Sequence, residues 1–556
     1  MSDLDLDLNS KLINLFNNKK YSEIEFEIEL LGDIEKQSTQ IAIMYAAAKT
    51  LNKNSQKKDF EEASYLFEKS YVSNKSNLDC LYNLIIVSIK SGTFQRVLPH
   101  LMERYEKNNK DEKVLDGLSK INFVLGNVSE ANIYSSQLIE VNPNYLNAWE
   151  DFLSSLNYTK IKSQEDYLKY ALKFDNLPQA RCKPFLRKQK KISKEKIRLG
   201  FVSSDFKKHS VSFFLKDTIS KINKKDFRIF AFSNLDQAKH DGMTGSLKEI
   251  FDEWKDVDML SNTELTTLIR SLDIDILIDL SGFTLGNRIE VFRARCAPIQ
   301  ISWLGYCNTL GIKEMDYLIA DKNLIKKKEE NLYSEKILYM PNIWSVMSKP
   351  EKLPNINELP SKKNTIFTFG SFNNFGKISD ETIKVWSKIL NNSNSRLILK
   401  SSSIKNEETN KNIIKKFKKY ISEENKVFIL DRSPTIEEHL GQYQKIDLAL
   451  DTFPYPGVTT SFESILMGVP VLTMKGFNFN SRCGESINLN LQMHEFIADN
   501  ENDYFQKAIK LQSSLNILEQ IRGSLREKSL ASPLFDGNNF AKEFSSILKK
   551  VIDNSK

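Results

Sequence analysis

The 556-residue chain has few of the residues that build covalent or metal-bound scaffolds. It has only 5 cysteines and 5 histidines, and no two cysteines form a C-x-x-C pair. The sequence therefore argues against a disulfide framework or a structural zinc site, and it favours a reducing, cytoplasmic compartment. No stretch approaches the roughly 20 apolar residues of a membrane helix, and the acidic start lacks the apolar core of a signal peptide. We expect no membrane attachment.

Two phosphate-binding patterns are also missing. There is no G-x-x-x-x-G-K-[ST], which argues against P-loop nucleotide chemistry, and no G-x-G-x-x-G after the first predicted strand of the α/β region, which weakens a dehydrogenase hypothesis. The net charge of +7 is small against 79 basic and 72 acidic side chains. Because the lysines are spread along the chain rather than clustered with aromatic residues, we expect no nucleic-acid partner.

Helical periodicity dominates the first 155 residues. Similar segments begin at Lys58, Gly92 and Gly126, and both intervals, 92 − 58 and 126 − 92, are 34 residues. A small residue recurs at one position of the repeat. A helix–turn–helix period of this length resembles the tetratricopeptide repeat, whose solenoids expose a groove for protein segments. We expect protein acceptors to bind there, although such repeats also mediate assembly, so a homo-oligomer is possible.

Strands alternate with helices from residue 197 onwards, and this alternation predicts parallel sheets built from βαβ units. The pattern restarts near residue 365 after a stretch rich in Lys, Pro and Asn. Two such domains in tandem form a cleft, with ligands at the carboxyl ends of the strands. The predicted organisation is tetratricopeptide-like repeats at 1–155, a helical and basic linker at 156–196, a first Rossmann-like domain at 197–345, a linker at 346–364, and a second Rossmann-like domain at 365–556 that ends in a crossover helix.

A strand-to-helix turn in the second domain carries unusual polar residues. The run "IDLALD" ends a predicted strand at residue 451, and "VTTSFESILMG" begins the next helix. Gly457 allows a close approach to a ligand, and the helix N-terminus with Thr459 and Thr460 offers donors to a phosphate. Alternatively, Thr460 and Glu463 have the spacing of a capping box, which needs no ligand. The stretch alone fits both interpretations.

A second strand-to-loop junction lies in the same domain, in "FGSFNNFGKIS" at 369–379. It carries Asn373, Asn374 and Lys377. A lysine beside a strand-end loop can neutralise a departing diphosphate, although an isolated lysine is more often a solvated surface residue. Together with the first turn, this junction favours a phosphate site.

Several longer motifs carry a family resemblance. They are "HSVSFFL" at 209–215, "APIQISWLGYCNTLG" at 297–311, "FGSFNNFGKI" at 369–378 and "IDLALDTFPYPGVTTSFESILMGVPVLTM" at 446–474. The chain resembles the protein O-GlcNAc transferase and Spindly group, glycosyltransferase family 41, and its motifs are closer to the Spindly branch. The resemblance runs from about residue 197 to the C-terminus, and the preceding repeats complete the family architecture. It implies an α/β fold of the two-Rossmann type termed GT-B, preceded by an all-α repeat solenoid.

The resemblance also implies contacts with the donor phosphates. Lys377 stands where the family has the lysine that contacts the donor diphosphate, and Thr459 and Thr460 stand where it has a threonine pair at the phosphates. With Gly457 at the turn before them, these residues form the predicted phosphate cradle. One position departs from the animal enzymes, because Val458 replaces a histidine.

Other matched positions imply contacts with the nucleoside and the sugar. Glu463 takes the place of an aspartate that holds the ribose, and His439 that of a histidine beside the base. Asn374 replaces a glutamine, and His209 matches the histidine that faces the sugar and the acceptor. Cys307 stands where the family has proline, so we expect a less rigid loop there.

The implied reaction is an inverting, metal-independent transfer of a sugar to Ser or Thr hydroxyls of proteins, with Lys377 stabilising the leaving diphosphate and His209 as a candidate base. The expected donor is UDP-GlcNAc, with GDP-fucose as the Spindly-type alternative, and no other cofactor is expected. Further alternatives are a non-catalytic repeat scaffold or a transferase acting on a small molecule or glycan. Asp273 and Asp275 have the D-x-D spacing of metal-binding glycosyltransferases, but they open an apolar strand of the first domain and are interpreted as structural.

Overall fold

The computed structural model of the chain describes residues 3–159, 163–178, 196–401 and 407–554. It divides into two compact units, Met1–Ala148 and Trp149–Lys556. Most of the predicted basic stretch, residues 179–195, lies outside the described residues. Within the described ranges, no helix combines the length and the apolar character needed to cross a membrane.

Helices build the whole of the first unit. They are α1 (Asp3–Asn17), α2 (Tyr21–Glu29), α3 (Thr39–Leu51), α4 (Lys57–Ser73), α5 (Leu78–Ser91), α6 (Phe94–Lys107), α7 (Glu112–Val124) and α8 (Val128–Val141). A ninth helix, α9 (Leu146–Leu156), begins in this unit and continues into the second.

The predicted 34-residue repeat is confirmed by burial. Ala63, Val97 and Ala131 lie one period apart on α4, α6 and α8, and each is at most 1% exposed. A small or β-branched side chain suits such a position because neighbouring helices approach closely there. Gly92 and Gly126, also one period apart, follow α5 and α7 with φ of 83° and 78°, a left-handed conformation that glycine adopts without a steric penalty.

The repeat has a second periodic signal that the sequence analysis missed. Asn74, Asn108 and Asn142 each follow the first helix of a repeat, at intervals of 34 residues. In every case the side-chain oxygen accepts a hydrogen bond of 3.1 Å from the backbone N–H two residues later. These asparagine turns end one helix and redirect the chain into the next.

The second unit contains two parallel sheets, each with helices around it. The first lobe, residues 197–345, holds β1 (Ile197–Ser203), β2 (Phe227–Ser233), β3 (Glu253–Asp256), β4 (Ile276–Asp279), β5 (Ile299–Ser302), β6 (Tyr317–Asp321) and β7 (Lys336–Met340). Its sheet order is β3-β2-β1-β4-β5-β6-β7. Its helices, which follow α10 (Gln164–Asp175), are α11 (Ser210–Lys221), α12 (Gly242–Ile250), α13 (Asn262–Ser271) and α14 (Ile289–Arg293).

The second lobe, residues 360–530, is organised in the same way. Its strands are β8 (Phe367–Ser371), β9 (Ser395–Lys400), β10 (Val427–Leu430), β11 (Leu448–Leu450), β12 (Val471–Met474) and β13 (Ile497–Ala498), in the order β10-β9-β8-β11-β12-β13. Its helices are α15 (Pro360–Asn364), α16 (Asp380–Asn391), α17 (Glu407–Phe417), α18 (Ile436–Gly441), α19 (Thr459–Leu466), α20 (Cys483–Asn490), α21 (Glu501–Gln512) and α22 (Leu515–Leu530).

The strand order decides which loops meet. In each sheet the first strand lies beside the fourth, so the order reverses at β1 and β4 in one lobe and at β8 and β11 in the other. Loops that follow adjacent parallel strands leave the same edge of the sheet and diverge at such a switch point. The turns after β8 and β11, predicted as a joint phosphate site, are therefore neighbours.

The chain returns to the first lobe at its end. The last helix, α23 (Gly537–Asn554), packs against α11 and buries Phe540, Phe544 and Leu548 in the core of the first sheet. This helix lies where the sequence predicts a crossover helix. The fold class, two Rossmann-like lobes preceded by helical repeats, is confirmed.

We predict that a chain beginning at Tyr145 folds without the repeats. Each unit has its own apolar core, and this start keeps α9 whole, including Glu150, whose carboxylate accepts a 2.9 Å hydrogen bond from Asn287 of the first lobe. Thermal unfolding should show one cooperative transition. A control chain that begins at Asp151 removes the Glu150 carboxylate and should melt at a lower temperature. A fragment from Tyr145 that is unfolded at 20 °C would contradict the division into units.

Candidate active site

The loop after β8 presents an asparagine and a lysine to the next turn. Asn374 caps a short 3-10 helix, Phe375–Lys377, by accepting a 2.9 Å hydrogen bond from the N–H of Gly376. The helix aims Lys377 at the turn after β11, where its ammonium donates to the carbonyl oxygen of Pro456 at 3.0 Å. The two junctions that the sequence predicted to form one site are in contact.

A buried aspartate organises the turn after β11. Asp451 directly follows the strand, and its Oδ1 accepts hydrogen bonds from the N–H of Gly457 at 2.6 Å and from Asn373 Nδ2 at 3.0 Å. Its Oδ2 accepts from the Thr473 hydroxyl at 2.8 Å. Burial raises the pKa of this carboxyl, and the hydrogen bonds and nearby Lys377 oppose that rise. The sequence analysis noted Asp451 only as a strand end and assigned Asn373 no role.

Gly457 is required at this turn by close packing. A Cβ atom at this position would lie 2.5 Å from both Asn373 Oδ1 and Thr460 Oγ1, much closer than carbon and oxygen atoms approach. A side chain at this position would have to displace the hydrogen-bonded side chains of Asn373 and Thr460. The sequence predicts that Gly457 lets a ligand approach the turn closely. In the structure, the space beside its Cα is filled by the side chains of Asn373 and Thr460.

The capping-box alternative for Thr460 and Glu463 is wrong. The helix begins at Thr459 with Val458 as its N-cap, and no side chain caps it. Thr460 is therefore the second residue of the helix, two positions after the N-cap, and cannot serve as the cap. Its hydroxyl instead donates to Asn373 Oδ1 in the neighbouring loop. The first turn of α19, with Thr459 at its first position, keeps its N-terminal end directed at the site.

Glu463 and His439 are brought together, but they are bonded to each other. Lys400 Nζ donates to His439 Nδ1, which places the ring proton on Nε2, and Nε2 donates to Glu463 Oε2 at 2.9 Å. The Tyr443 hydroxyl also donates to Glu463 Oε2, at 3.2 Å. Burial lowers the pKa of Lys400, and the charge of Glu463 opposes this. Lys400, which ends β9, was missed, and its strand-end position was the available signal.

His209 lies in the first lobe as the N-cap of α11. Its Nδ1 accepts a 3.4 Å hydrogen bond from the N–H of Val211, while Asp205 Oδ2 lies 3.5 Å from the same nitrogen. Burial and Lys207 lower the pKa of the imidazole against the pull of Asp205, so the ring is neutral at pH 7. A neutral ring accepts a proton at Nε2 only when Nδ1 carries its proton towards Asp205.

The two lobes meet between α11 and α19. The rings of Phe214 and Phe462, one on each helix, pack edge to face with 5.1 Å between centroids. His209 precedes Phe214 by five residues, about one and a half turns of helix, and Thr459 precedes Phe462 by three residues, about one turn. The N-terminal ends of both helices therefore lie close to the lobe interface.

Of the two lysines at the site, Lys377 and Lys400, Lys377 has the larger shift in pKa. Its ammonium lies 3.8 Å from the centroid of the Tyr455 ring. Burial lowers its pKa from 10.5 to about 8, and the nearby Asp451, Cys483 and Cys307 oppose the shift. A desolvated ammonium is a favourable partner for an anionic ligand.

The D-x-D pair does not belong to the site. Asp275 precedes β4, and its Oδ2 accepts a 2.8 Å hydrogen bond from the N–H of Arg198 at the start of β1. It therefore lies at the amino edge of the sheet, opposite the carboxyl ends. Across the described ranges, no three His, Cys, Asp or Glu side chains are grouped so that they could hold a metal ion.

The chain resembles known proteins in its family, its sequence and its fold. The model of the family described as Glycosyl transferase family 41 matches residues 169–363 and 355–544. The chain is 29% identical over 423 residues to a probable UDP-N-acetylglucosamine--peptide N-acetylglucosaminyltransferase SPINDLY of Solanum lycopersicum, a match that covers 74% of the chain and 45% of the relative.

A more distant relative and a solved structure are also named as N-acetylglucosamine transferases. The chain is 26% identical over 362 residues to a probable UDP-N-acetylglucosamine--peptide N-acetylglucosaminyltransferase SEC of Arabidopsis thaliana, covering 63% of the chain and 36% of the relative. It thus spans less than half the length of these curated relatives. A mutant of Thermobaculum terrenum O-GlcNAc transferase superposes with a TM-score of 0.81 at 24% identity, covering 94% of this chain and 99% of that one. That similarity shows the fold.

We predict that the two threonines of α19 differ in their contribution to stability. Thr460→Val removes the donor to the buried Asn373 Oδ1 and should lower the free energy of unfolding by about 1–2 kcal/mol. The matched Thr459→Val change, at the first helical position, should stay within about 0.5 kcal/mol of the wild type. Urea unfolding of both variants checks this, and equal losses would mean that the contact with Asn373 contributes nothing.

Proposed function

Because the chain belongs to glycosyl transferase family 41, we propose that it transfers a sugar from a nucleoside-diphosphate sugar to Ser or Thr hydroxyls of polypeptides, with inversion at the anomeric carbon. The observation that carries this proposal is the meeting of Lys377 and the first turn of α19 at the carboxyl ends of β8 and β11. A cation and a helix N-terminus on one turn form a site for a diphosphate.

The geometry supplies what a departing diphosphate requires. Negative charge grows on its oxygens as the bond to the anomeric carbon breaks, and groups already oriented towards that charge lower the barrier. Lys377 offers an ammonium whose burial makes an anionic partner favourable. Backbone N–H groups of the first turn of α19 and the hydroxyl of Thr459 are further donors three residues or more beyond Pro456, which binds Lys377.

The bond changes are simple. The acceptor oxygen attacks the anomeric carbon from the face opposite the diphosphate, the carbon–oxygen bond to the phosphate breaks, and the diphosphate leaves with the electron pair. The hydroxyl proton passes to a base, for which we propose His209 Nε2. This role requires a tautomer other than the one in which Nδ1 accepts from the Val211 N–H: Nδ1 must carry the proton towards Asp205 Oδ2, 3.5 Å away, so that Nε2 can accept.

We propose UDP-GlcNAc as the donor. The names of both plant relatives support it, since each describes a probable peptide transferase that uses UDP-N-acetylglucosamine. The alternative donor is GDP-fucose, which is favoured by the resemblance of the motif around Glu463 to the Spindly branch. In either case we place the nucleoside near His439 and Glu463 and the sugar near Asn374.

We propose protein acceptors, held by the helical repeats of the first unit. Stacked helix pairs with a regular period form extended surfaces suited to protein segments. We also propose a cytoplasmic location, which is supported by Cys80, Cys296, Cys307 and Cys483, since none of these four described cysteines forms a disulfide.

The test is hydrolysis of the donor by the purified chain, with UDP-GlcNAc and GDP-fucose compared side by side. We expect release of UDP from UDP-GlcNAc to be the faster reaction. Lys377→Ala should lower the rate by about 100- to 1,000-fold because it removes the charge that stabilises the leaving group.

Lys411→Ala serves as the matched control, because Lys411 is a solvent-exposed lysine of α17 in the same lobe, and its rate should equal that of the wild type. A folded Lys377→Ala variant with a wild-type rate would contradict the assignment of Lys377. Faster release of GDP from GDP-fucose would replace the proposed donor by the alternative.

We propose that the transfer requires no metal ion, since Lys377 and the end of α19 provide the positive charge. Donor hydrolysis should therefore keep its rate after dialysis against excess EDTA. Measurement of the rate before and after EDTA, and again after addition of Mn²⁺, checks this. A rate that disappears with EDTA and returns with Mn²⁺ would contradict the mechanism.

A further inference from the structure

The described residues between the repeats and the first lobe, 157–159 and 163–178, belong to the second unit and contact both of its lobes. The Asn157 side chain, buried at the end of α9, donates to the Tyr306 hydroxyl at 2.9 Å and accepts from Asn308 Nδ2 at 2.9 Å, both in the first lobe. Its carbonyl oxygen accepts from Asn480 Nδ2, in the second lobe, at 3.2 Å. One residue therefore bonds to both lobes.

Gln164, at the start of α10, does the same. Its Nε2 donates to Asn308 Oδ1 at 2.7 Å in the first lobe, and its Oε1 accepts from Asn478 Nδ2 at 2.9 Å in the second. The side chain is only 3% exposed. Buried amides with complete hydrogen bonding hold one arrangement firmly, because any shift leaves polar groups unpaired.

Tyr158 extends from this segment towards Lys377. Its ring packs against the ring of Tyr455 with 4.6 Å between centroids. The Lys377 ammonium lies 3.8 Å from the centroid of the Tyr455 ring. The same ammonium donates a hydrogen bond to the carbonyl oxygen of the next residue, Pro456. The three side chains, which we call the Tyr158–Tyr455–Lys377 stack although the two rings are tilted by 56°, form an unbroken series of contacts from the segment to the cation.

We propose that Tyr158 is a positioning residue of the transferase: by supporting the Tyr455 ring it holds the Lys377 ammonium in place for the donor diphosphate. The role of Lys377 in this statement rests on the proposed function. A cation held against an aromatic face keeps a defined position at little cost, whereas a free lysine side chain samples many rotamers.

The electrostatics agree with this geometry. Burial is the largest influence on Lys377 and lowers its pKa to about 8, while the groups that face it, Asp451, Cys307 and Cys483, favour the charged form. The phenol of Tyr158 stays neutral, because burial raises its pKa to about 12. Loss of the Tyr158 ring would admit water beside Tyr455, and the pKa of Lys377 should then rise towards its ordinary value of 10.5.

The first test measures Lys377 itself and needs no transferase activity. The full chain is labelled with trace acetic anhydride at a series of pH values, and acetylation of Lys377 is quantified by mass spectrometry. In the wild type we expect the pH profile to have its midpoint near 8. Tyr158→Ala should move the midpoint upwards, whereas the conservative Tyr158→Phe, which keeps the ring, should leave it unchanged.

A matched control exists on the same segment. Tyr170 of α10 carries the Lys173 ammonium 5.7 Å from its ring centroid, and its ring is partly exposed. Tyr170→Ala removes a comparable aromatic group without touching the stack and should leave the Lys377 profile as it is. Tyr158→Leu, which retains most of the side-chain volume, replaces Tyr158→Ala if that variant does not fold.

The second test follows donor hydrolysis. In the wild type kcat/KM should fall as the pH rises through about 8, because the free enzyme then loses the Lys377 proton. In Tyr158→Ala the alkaline fall should move to higher pH, and kcat should drop about tenfold at pH 7, an effect that a loss of one oriented charge contact would produce.

The outcomes separate the two proposals. An unchanged labelling midpoint in folded Tyr158→Ala or Tyr158→Leu would overturn the positioning role. A shifted midpoint in a chain whose wild type hydrolyses neither UDP-GlcNAc nor GDP-fucose would support the contact between Tyr158, Tyr455 and Lys377 and reject the proposed function. A Tyr158→Phe variant as impaired as Tyr158→Ala would show that the hydroxyl, not the ring, matters, and would also overturn the proposal.

Discussion

The buried carboxylate of Asp451 is the interaction on which the rest of the site depends. It joins three separate pieces of chain: Asn373 after β8, Gly457 in the turn before α19, and Thr473 in β12. A buried carboxylate without such donors would cost several kcal/mol, so the loops cannot rearrange without replacing them. Because the turn is fixed in this way, the carbonyl that receives Lys377 and the start of α19 are fixed with it.

The site holds a positive charge that the protein does not neutralise fully. Lys377 donates to a neutral carbonyl and packs on an aromatic ring, and among its charged neighbours Asp451 already has other hydrogen bonds. The pKa of Lys377 is lowered because burial penalises the charged ammonium more than its neighbours stabilise it. Under the proposed function, an entering diphosphate would supply the missing counter-charge, and part of the energy lost in burying the ammonium would be recovered on binding. Such an arrangement would favour the anion most where its charge is largest, in the departing diphosphate.

Much of the fold could be predicted because its signals are local and repeated. The 34-residue spacing of Ala63, Val97 and Ala131 and the alternation of strands and helices both reflect burial of regular faces. The meeting of the turns after β8 and β11 followed from parallel topology alone. Two strands escaped prediction for physical reasons: Glu253–Asp256 is half-exposed and polar, and Ile497–Ala498 has only two residues.

The side-chain partners in the site could not be predicted in the same way. The capping-box hypothesis for Thr460 and Glu463 used local spacing, whereas their actual partners, Asn373 and His439, lie 87 and 24 residues away in the chain. Tertiary contacts override a local motif whenever the fold brings a better partner within reach. The resemblance to a family identified which residues converge, but only the structure shows that His439 and Glu463 are already bonded to each other.

The hydrogen bonds of Asn157 and Gln164 to both lobes bear on where the transferase region begins in the sequence. The family model begins at residue 169, yet both amides lie before it and bond to both lobes. Their partners, Asn308, Asn478 and Asn480, are buried polar side chains. Removal of Asn157 and Gln164 would take a hydrogen-bond partner from each of them, which destabilises a buried polar group. The segment is therefore a structural part of the catalytic unit rather than a linker, and Tyr158, which lies between the two amides, is held against Tyr455 by contacts that reach both lobes.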